Sequence, residues 1–168
     1  RGARGRVFVP GGVVAGSRGV LVGALAPHTP ENWNVKKAFQ FESLIMAEGW
    51  WAEVEATGGV SAGYGRTGRI QPVKDARALE LAKARAESAK ELWQGKAQWQ
   101  VVERDTLSDW APESPTGWVI HDTLSGRMFP RRACAALAAA LRSKDCEIVA
   151  EGPRVGKVVW ATGWQGLL

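Results

Sequence analysis

The sequence predicts an α/β protein, a nucleotide-binding lobe interrupted by an α+β insertion. Three observations point there. Glycine-punctuated stretches follow predicted strands near both ends of the chain, at Gly11 to Pro30 and at Ala161 to Gly166, and α/β sheets bind ligands beyond their strand C-termini. Two long helical patterns and several short strands fill the middle. An alanine-rich helix then leads to two further predicted strands.

Arg6 to Val9 reads as a short strand that Pro10-Gly11-Gly12 stops. From there to Pro30 the chain is rich in Gly and small residues, which let backbone N–H groups approach a ligand. An ordinary surface loop has the same composition, but Val20, Leu21, Val22, Ala24 and Leu25 are apolar and predict burial. Asn34 caps a helix that runs to about Ala56, with Gly58-Gly59 as its stop. Ala38, Phe41, Leu44, Ile45 and Trp51 hold helical spacing, with Lys36 and Lys37 facing out. Phe39, Met46 and Trp50 widen the apolar face and predict packing on more than one side.

Tyr64 to Val73 reads as strand, bend, strand around Gly65 and Gly68. A second helix from Asp75 to about Trp93 carries Leu79, Ala82, Ala86, Ala89 and Trp93 on one face, and Gly95 ends it. Trp99 to Val102 and Trp118 to His121 are strands separated by a polar loop, Glu103 to Gly117. Pro130 opens a helix to about Ser143, where proline suits the first turn. Cys146 to Ala150 and Lys157 to Ala161 follow as strands, and the short connection Glu151 to Gly156 predicts an antiparallel hairpin.

A chain of 168 residues fits one domain or two small lobes. With 45% apolar and 23% charged residues, disorder is excluded as its main description. No apolar run approaches the roughly 18 residues of a membrane span; a soluble, cytoplasmic protein without a signal peptide is expected. The net charge of +5 favours an anionic partner such as phosphate or a nucleotide, and is modest for a dedicated nucleic-acid binder. Cys134 and Cys146 lie in no CxxC and read as reduced thiols, with no metal site. His28 and His121 are each isolated and read as structural. The nine tryptophans mostly read as core residues, notably Trp50, Trp51 and Trp93.

Four segments in order then resemble one family. Val158-Val159-Trp160-Ala161-Thr162-Gly163 resembles the hydrophobic strand and Ala-Thr-Gly element of FAD-dependent oxidoreductases. Gly126-Arg127-Met128-Phe129-Pro130-Arg131-Arg132 and its alanine-rich helix resemble the segment that precedes it in the D-amino-acid oxidase and glycine oxidase superfamily. Tyr64-Gly65-Arg66-Thr67-Gly68-Arg69-Ile70 is similar to that family's strand pair with a Thr-Gly bend. Ala15-Gly16-Ser17 through Gly23-Ala24-Leu25-Ala26-Pro27 is similar to its flavin-contacting loop. The resemblance covers nearly the whole chain.

It implies a Rossmann-like FAD/NAD(P)-binding lobe built from residues 1–33 and 127–168, interrupted by a connecting helix and substrate-domain segment at 34–126. It implies FAD contacts from Ser17, Gly23, Ala24, Pro27, Val149, Ala161, Thr162, Gly163 and Trp164. The implied reaction is hydride transfer from an amine or amino acid to the flavin, with oxygen as the electron acceptor and no metal or membrane involved. Arg66 and Arg69 suit a substrate carboxylate, and a solvated strand face accounts for them equally well. The family's Gly-x-Gly-x-x-Gly element would lie before Arg1, and its last segment after Leu168. Val9 followed by Pro10 stands where an acid normally holds the adenosine ribose, so weak FAD binding by the 168-residue chain is expected. Two alternatives stay open: the flavin domain of a tRNA wobble-uridine modification enzyme, which Gly23-Ala24-Leu25-Ala26-Pro27 also resembles, and a basic, Trp-rich module that stacks nucleobases without catalysis.

Overall fold

The computed structural model describes residues 5–13 and 21–161. The elements in order are β1 (Arg6–Phe8), β2 (Gly23–Leu25), α1 (Val35–Gly58), β3 (Arg69–Pro72), α2 (Ala76–Leu92), β4 (Trp99–Glu103), β5 (Trp118–Asp122), β6 (Gly126–Met128), α3 (Pro130–Arg142) and β7 (Glu147–Val149). Among the described residues they form three small sheets. The pair β1-β7 is parallel, β2-β6 is antiparallel, and β3-β5-β4 is an antiparallel sheet with β5 at its centre.

Helix α1 organises the molecule. The Asn34 side chain accepts from the Lys37 N–H at 3.2 Å, and Gly59, in the left-handed region at φ 67°, closes the other end. The first half of the helix buries Phe41 and Leu44 against Ala89, Trp93, Trp99 and Leu124. Its second half buries Trp51 against Ala62, Ala133 and Ala136. One helix thus ties the α2–β4 side of the core to α3. Small residues set how closely α1 and α3 approach: a Cβ on Gly58 would lie 2.6 Å from the Ala140 nitrogen.

Trp93 is fully buried, stacked on Phe41 at 6.4 Å and edge-on to Trp99 at 6.1 Å between ring centroids. The indole nitrogens of Trp93 and Trp99 are buried without a hydrogen-bond partner among the described residues. Burying an indole of about 200 Å² contributes roughly 5 kcal/mol, against roughly 1–3 kcal/mol for leaving its N–H unpaired, so burial wins.

Several expectations need correction. No hairpin forms at the end of the described chain: β7 pairs in parallel with β1, and Lys157 to Ala161 is not a strand. Val158, Val159 and Trp160 are exposed there, so the β-prone residues find no apolar face to cover. Leu21 and Val22 are 74% and 57% exposed. The described part of the glycine-rich stretch is therefore held as a strand edge at β2, and is not a buried loop. Lys37 folds back to donate to the carbonyls of Thr29 and Glu31. Finally, Phe39 and Met46 are exposed and Trp50 is 42% exposed; the widened face of α1 packs on one side only.

Candidate functional site

Three of the sequence-predicted cofactor residues, Gly23, Ala24 and Val149, fall on two strand pairs. At the first, β1 and β7 pair with Phe8 opposite Val149, and the Val9 N–H continues the ladder by donating to the Val149 carbonyl at 2.8 Å. The chain then turns sharply: the Gly12 N–H donates to the Val9 carbonyl at 2.9 Å, with Gly12 at φ 83°, a conformation that glycine adopts without strain. Val149 thus lies at the carboxyl ends of a parallel strand pair, where open α/β sheets receive ligands.

The second pair contains β2. Gly23, Ala24 and Leu25 pair with Met128, Arg127 and Gly126 of β6. On its far side β6 meets Gly65, through Gly65 N–H to the Arg127 carbonyl at 3.0 Å and Arg127 N–H to the Gly65 carbonyl at 2.8 Å. Strand β6 is therefore paired on both sides, while β2 has one partner strand among the described residues. A Cβ on Gly23 would lie 3.5 Å from Pro130 Cγ, in ordinary contact, and Ala24 is exposed.

Beyond Leu25 the backbone leaves the ladder and is held by side chains of α1. Gln40 Oε1 accepts from the His28 N–H at 2.7 Å and its Nε2 donates to the Ala26 carbonyl at 3.3 Å, so one carboxamide spans Pro27. Lys37 Nζ donates to the Thr29 carbonyl at 3.1 Å and to the Glu31 carbonyl at 2.5 Å. The Glu31 carboxylate takes both arms of the Arg85 guanidinium from α2, at 2.9 and 2.5 Å. That fork holds the Glu31 carboxyl below the ordinary range, against the opposing effect of burial. Sequence reasoning missed Lys37, Gln40 and Arg85. The signal was there for the first two, polar residues three apart on the first turns of α1 and so on one face.

Arg66 and Arg69 bind within the protein. Arg66 donates from Nε to the Thr123 carbonyl at 2.9 Å and from Nη2 to the Lys96 carbonyl at 2.7 Å. Arg69 Nε lies 3.2 Å from the buried Asp122 carboxylate. Arg66 also borders a hollow of about 180 Å³ with Glu48, Trp51, Glu55 and Tyr64. Burial there pushes the Tyr64 phenol up, Glu48 adds to the rise and Arg66 opposes it. Of the remaining predicted residues, Ala161 is exposed, and Ser17, Thr162, Gly163 and Trp164 lie outside the described residues.

The described residues fit FAD at their backbone edges. A flat ring needs small residues beside it, and Ala24 is both small and exposed, while Val149 stands at a parallel-strand terminus. Val9 offers no carboxylate to a ribose. Among curated proteins none matches the chain. Its fold is similar to the crystal structure of glycine oxidase from Geobacillus kaustophilus, with a TM-score of 0.51 at 14% identity, covering 86% of this chain and 38% of that one. The chain thus spans well under half of that oxidase. Residues 6–165 match the family model of FAD dependent oxidoreductases, the DAO family. This chain belongs to the DAO family of FAD-dependent oxidoreductases.

Proposed function

We propose that the protein oxidises an amino acid or a secondary amine by hydride transfer from the amine-bearing carbon to FAD. The observation that carries the reading is the strand β2, Gly23 to Leu25, paired to β6 on one side among the described residues and running on into a Pro27 segment fixed from α1. Bound FAD supplies the two-electron acceptor, which side chains cannot. Gly23, Ala24 and Pro27 would meet its ring and Val149 its adenosine half, with Ser17, Ala161, Thr162, Gly163 and Trp164 completing the set. Arg66, bordering the hollow, is the candidate for a substrate carboxylate through Nη1, its Nε and Nη2 being held by the Thr123 and Lys96 carbonyls; Arg69 Nε is held by Asp122.

Oxygen is the proposed electron acceptor. Both cysteines are free, in keeping with a proposed reducing, cytoplasmic setting. Among the described residues no helix is long and apolar enough to cross a membrane. The test is to purify the protein at its natural length, record its visible spectrum, and add amino acids and secondary amines without oxygen. Bleaching of a flavin band by an amine is the expected result. A colourless protein that takes up no FAD, or a flavoprotein that no amine reduces, would overturn the proposal.

A further inference from the structure

We propose that Gln40 is a positioning residue for the cofactor edge, its carboxamide fixing the backbone on both sides of Pro27. This rests on the reading of the Pro27 segment given above and adds to it the side chain that sets its geometry.

The argument starts from proline. Pro27 has no N–H and cannot donate to a ladder, so β2 stops at Leu25 while backbone groups of Ala26 and His28 still need partners. A primary carboxamide offers an acceptor and a donor on one rigid plane. Gln40 uses both, accepting from His28 N–H at 2.7 Å and donating to the Ala26 carbonyl at 3.3 Å. It does for the strand extension what a neighbouring strand would otherwise do.

Its own base is rigid. Phe41, the next residue, is buried in the core, and Asn34 caps the helix fewer than two turns earlier. Lys37 holds the carbonyls of Thr29 and Glu31 from the preceding turn. The first two turns of α1 therefore set residues 26–31. A contact surface for a ring must be held to within about 0.5 Å to be productive, and in metal sites, where the same kind of support has been quantified, losing an outer hydrogen bond lowers affinity by about tenfold or more.

Two measurements test this. In the 168-residue chain, amide hydrogen exchange at His28 is followed by NMR for the parent, Gln40→Glu and Gln40→Met. Glutamate keeps the acceptor and loses the donor; methionine loses both. Exchange at His28 is expected to accelerate in the order Gln, Glu, Met, by about tenfold or more in Gln40→Met relative to the amides of the paired strands β2 and β6. Gly58→Ala, which destabilises α1–α3 packing far from the segment, is expected to leave His28 on the same scale as the other amides. Unchanged His28 exchange in Gln40→Met would overturn the clamp.

In the natural-length protein, FAD affinity is then measured by flavin fluorescence. Gln40→Met is expected to raise Kd about tenfold with Gly58→Ala unchanged. Faster His28 exchange with unaltered FAD affinity would overturn the positioning role while leaving the functional reading intact. If the parent binds no FAD, the functional reading falls and the positioning role with it, and the exchange data still decide whether the clamp exists.

Discussion

Asp122 is the buried charge on which the corner between β5 and β6 turns. Its carboxylate is fully buried and accepts from the Ser125 N–H at 2.7 Å, the Ser125 hydroxyl at 3.0 Å and Arg69 Nε at 3.2 Å. Replacing it with alanine leaves the Ser125 N–H and hydroxyl buried without their acceptor. The charge-assisted backbone bond accounts for about 2 kcal/mol and the hydroxyl bond for about 1 kcal/mol. Arg69 is 37% exposed and regains water, so the ion pair itself adds only about 0.5 kcal/mol. The expected loss is about 3–4 kcal/mol, or a urea midpoint lower by about 1.5–2 M at a slope of about 2 kcal/mol/M. Asparagine keeps one oxygen for the Ser125 N–H and should cost less than half as much. Equilibrium unfolding followed by tryptophan emission reports it, because Trp93 and Trp99 are buried in the core that α2 and β4 share. Equal destabilisation by alanine and asparagine, or a loss under about 1 kcal/mol for alanine, would refute the assignment of stability to these three bonds.

Gly58→Ala places a Cβ 2.6 Å from the Ala140 nitrogen and 3.0 Å from the Ala139 carbonyl carbon; because backbone cannot yield as a side chain can, we expect a loss of about 1–3 kcal/mol in urea unfolding. Glu31 has a folded pKa below its unfolded one, so its fork with Arg85 stabilises above the unfolded value and that stability disappears as pH falls through the folded one. Glu31→Gln is expected to flatten this acid-side decline in a thermal melt series. Tyr64 is the chain's one tyrosine, so phenolate absorbance reports it alone. Its midpoint should lie above the ordinary value of 10, and stability should fall as pH rises past about 10, because the unfolded phenol ionises first. Glu48→Gln is expected to lower that midpoint.

The helices were legible because each carries its own boundaries. Asn34 and Asp75 accept from N–H groups three residues on, and Gly59 takes the left-handed turn; none of this requires knowing the tertiary partner. Strands of three residues carry no such mark. The sequence Glu147-Ile148-Val149 pairs with Arg6-Val7-Phe8 across most of the chain, and nothing local distinguishes that from a hairpin with Lys157 to Ala161. The same limit explains Phe39 and Trp50: helical spacing shows which residues share a face but not which face meets the core. The pins on the site lie between these cases. Gln40 can be placed on the first turns of α1 from sequence, yet its two bonds across Pro27 depend on the chain reversing between Leu25 and Val35 so that helix and strand extension run side by side. A motif therefore points to residues proposed to meet a ligand, such as Gly23 and Ala24, before it points to the side chains that hold their backbone in place. Those side chains are where substitutions chosen from motifs alone would do unintended damage, and Gln40 is the first of them to avoid.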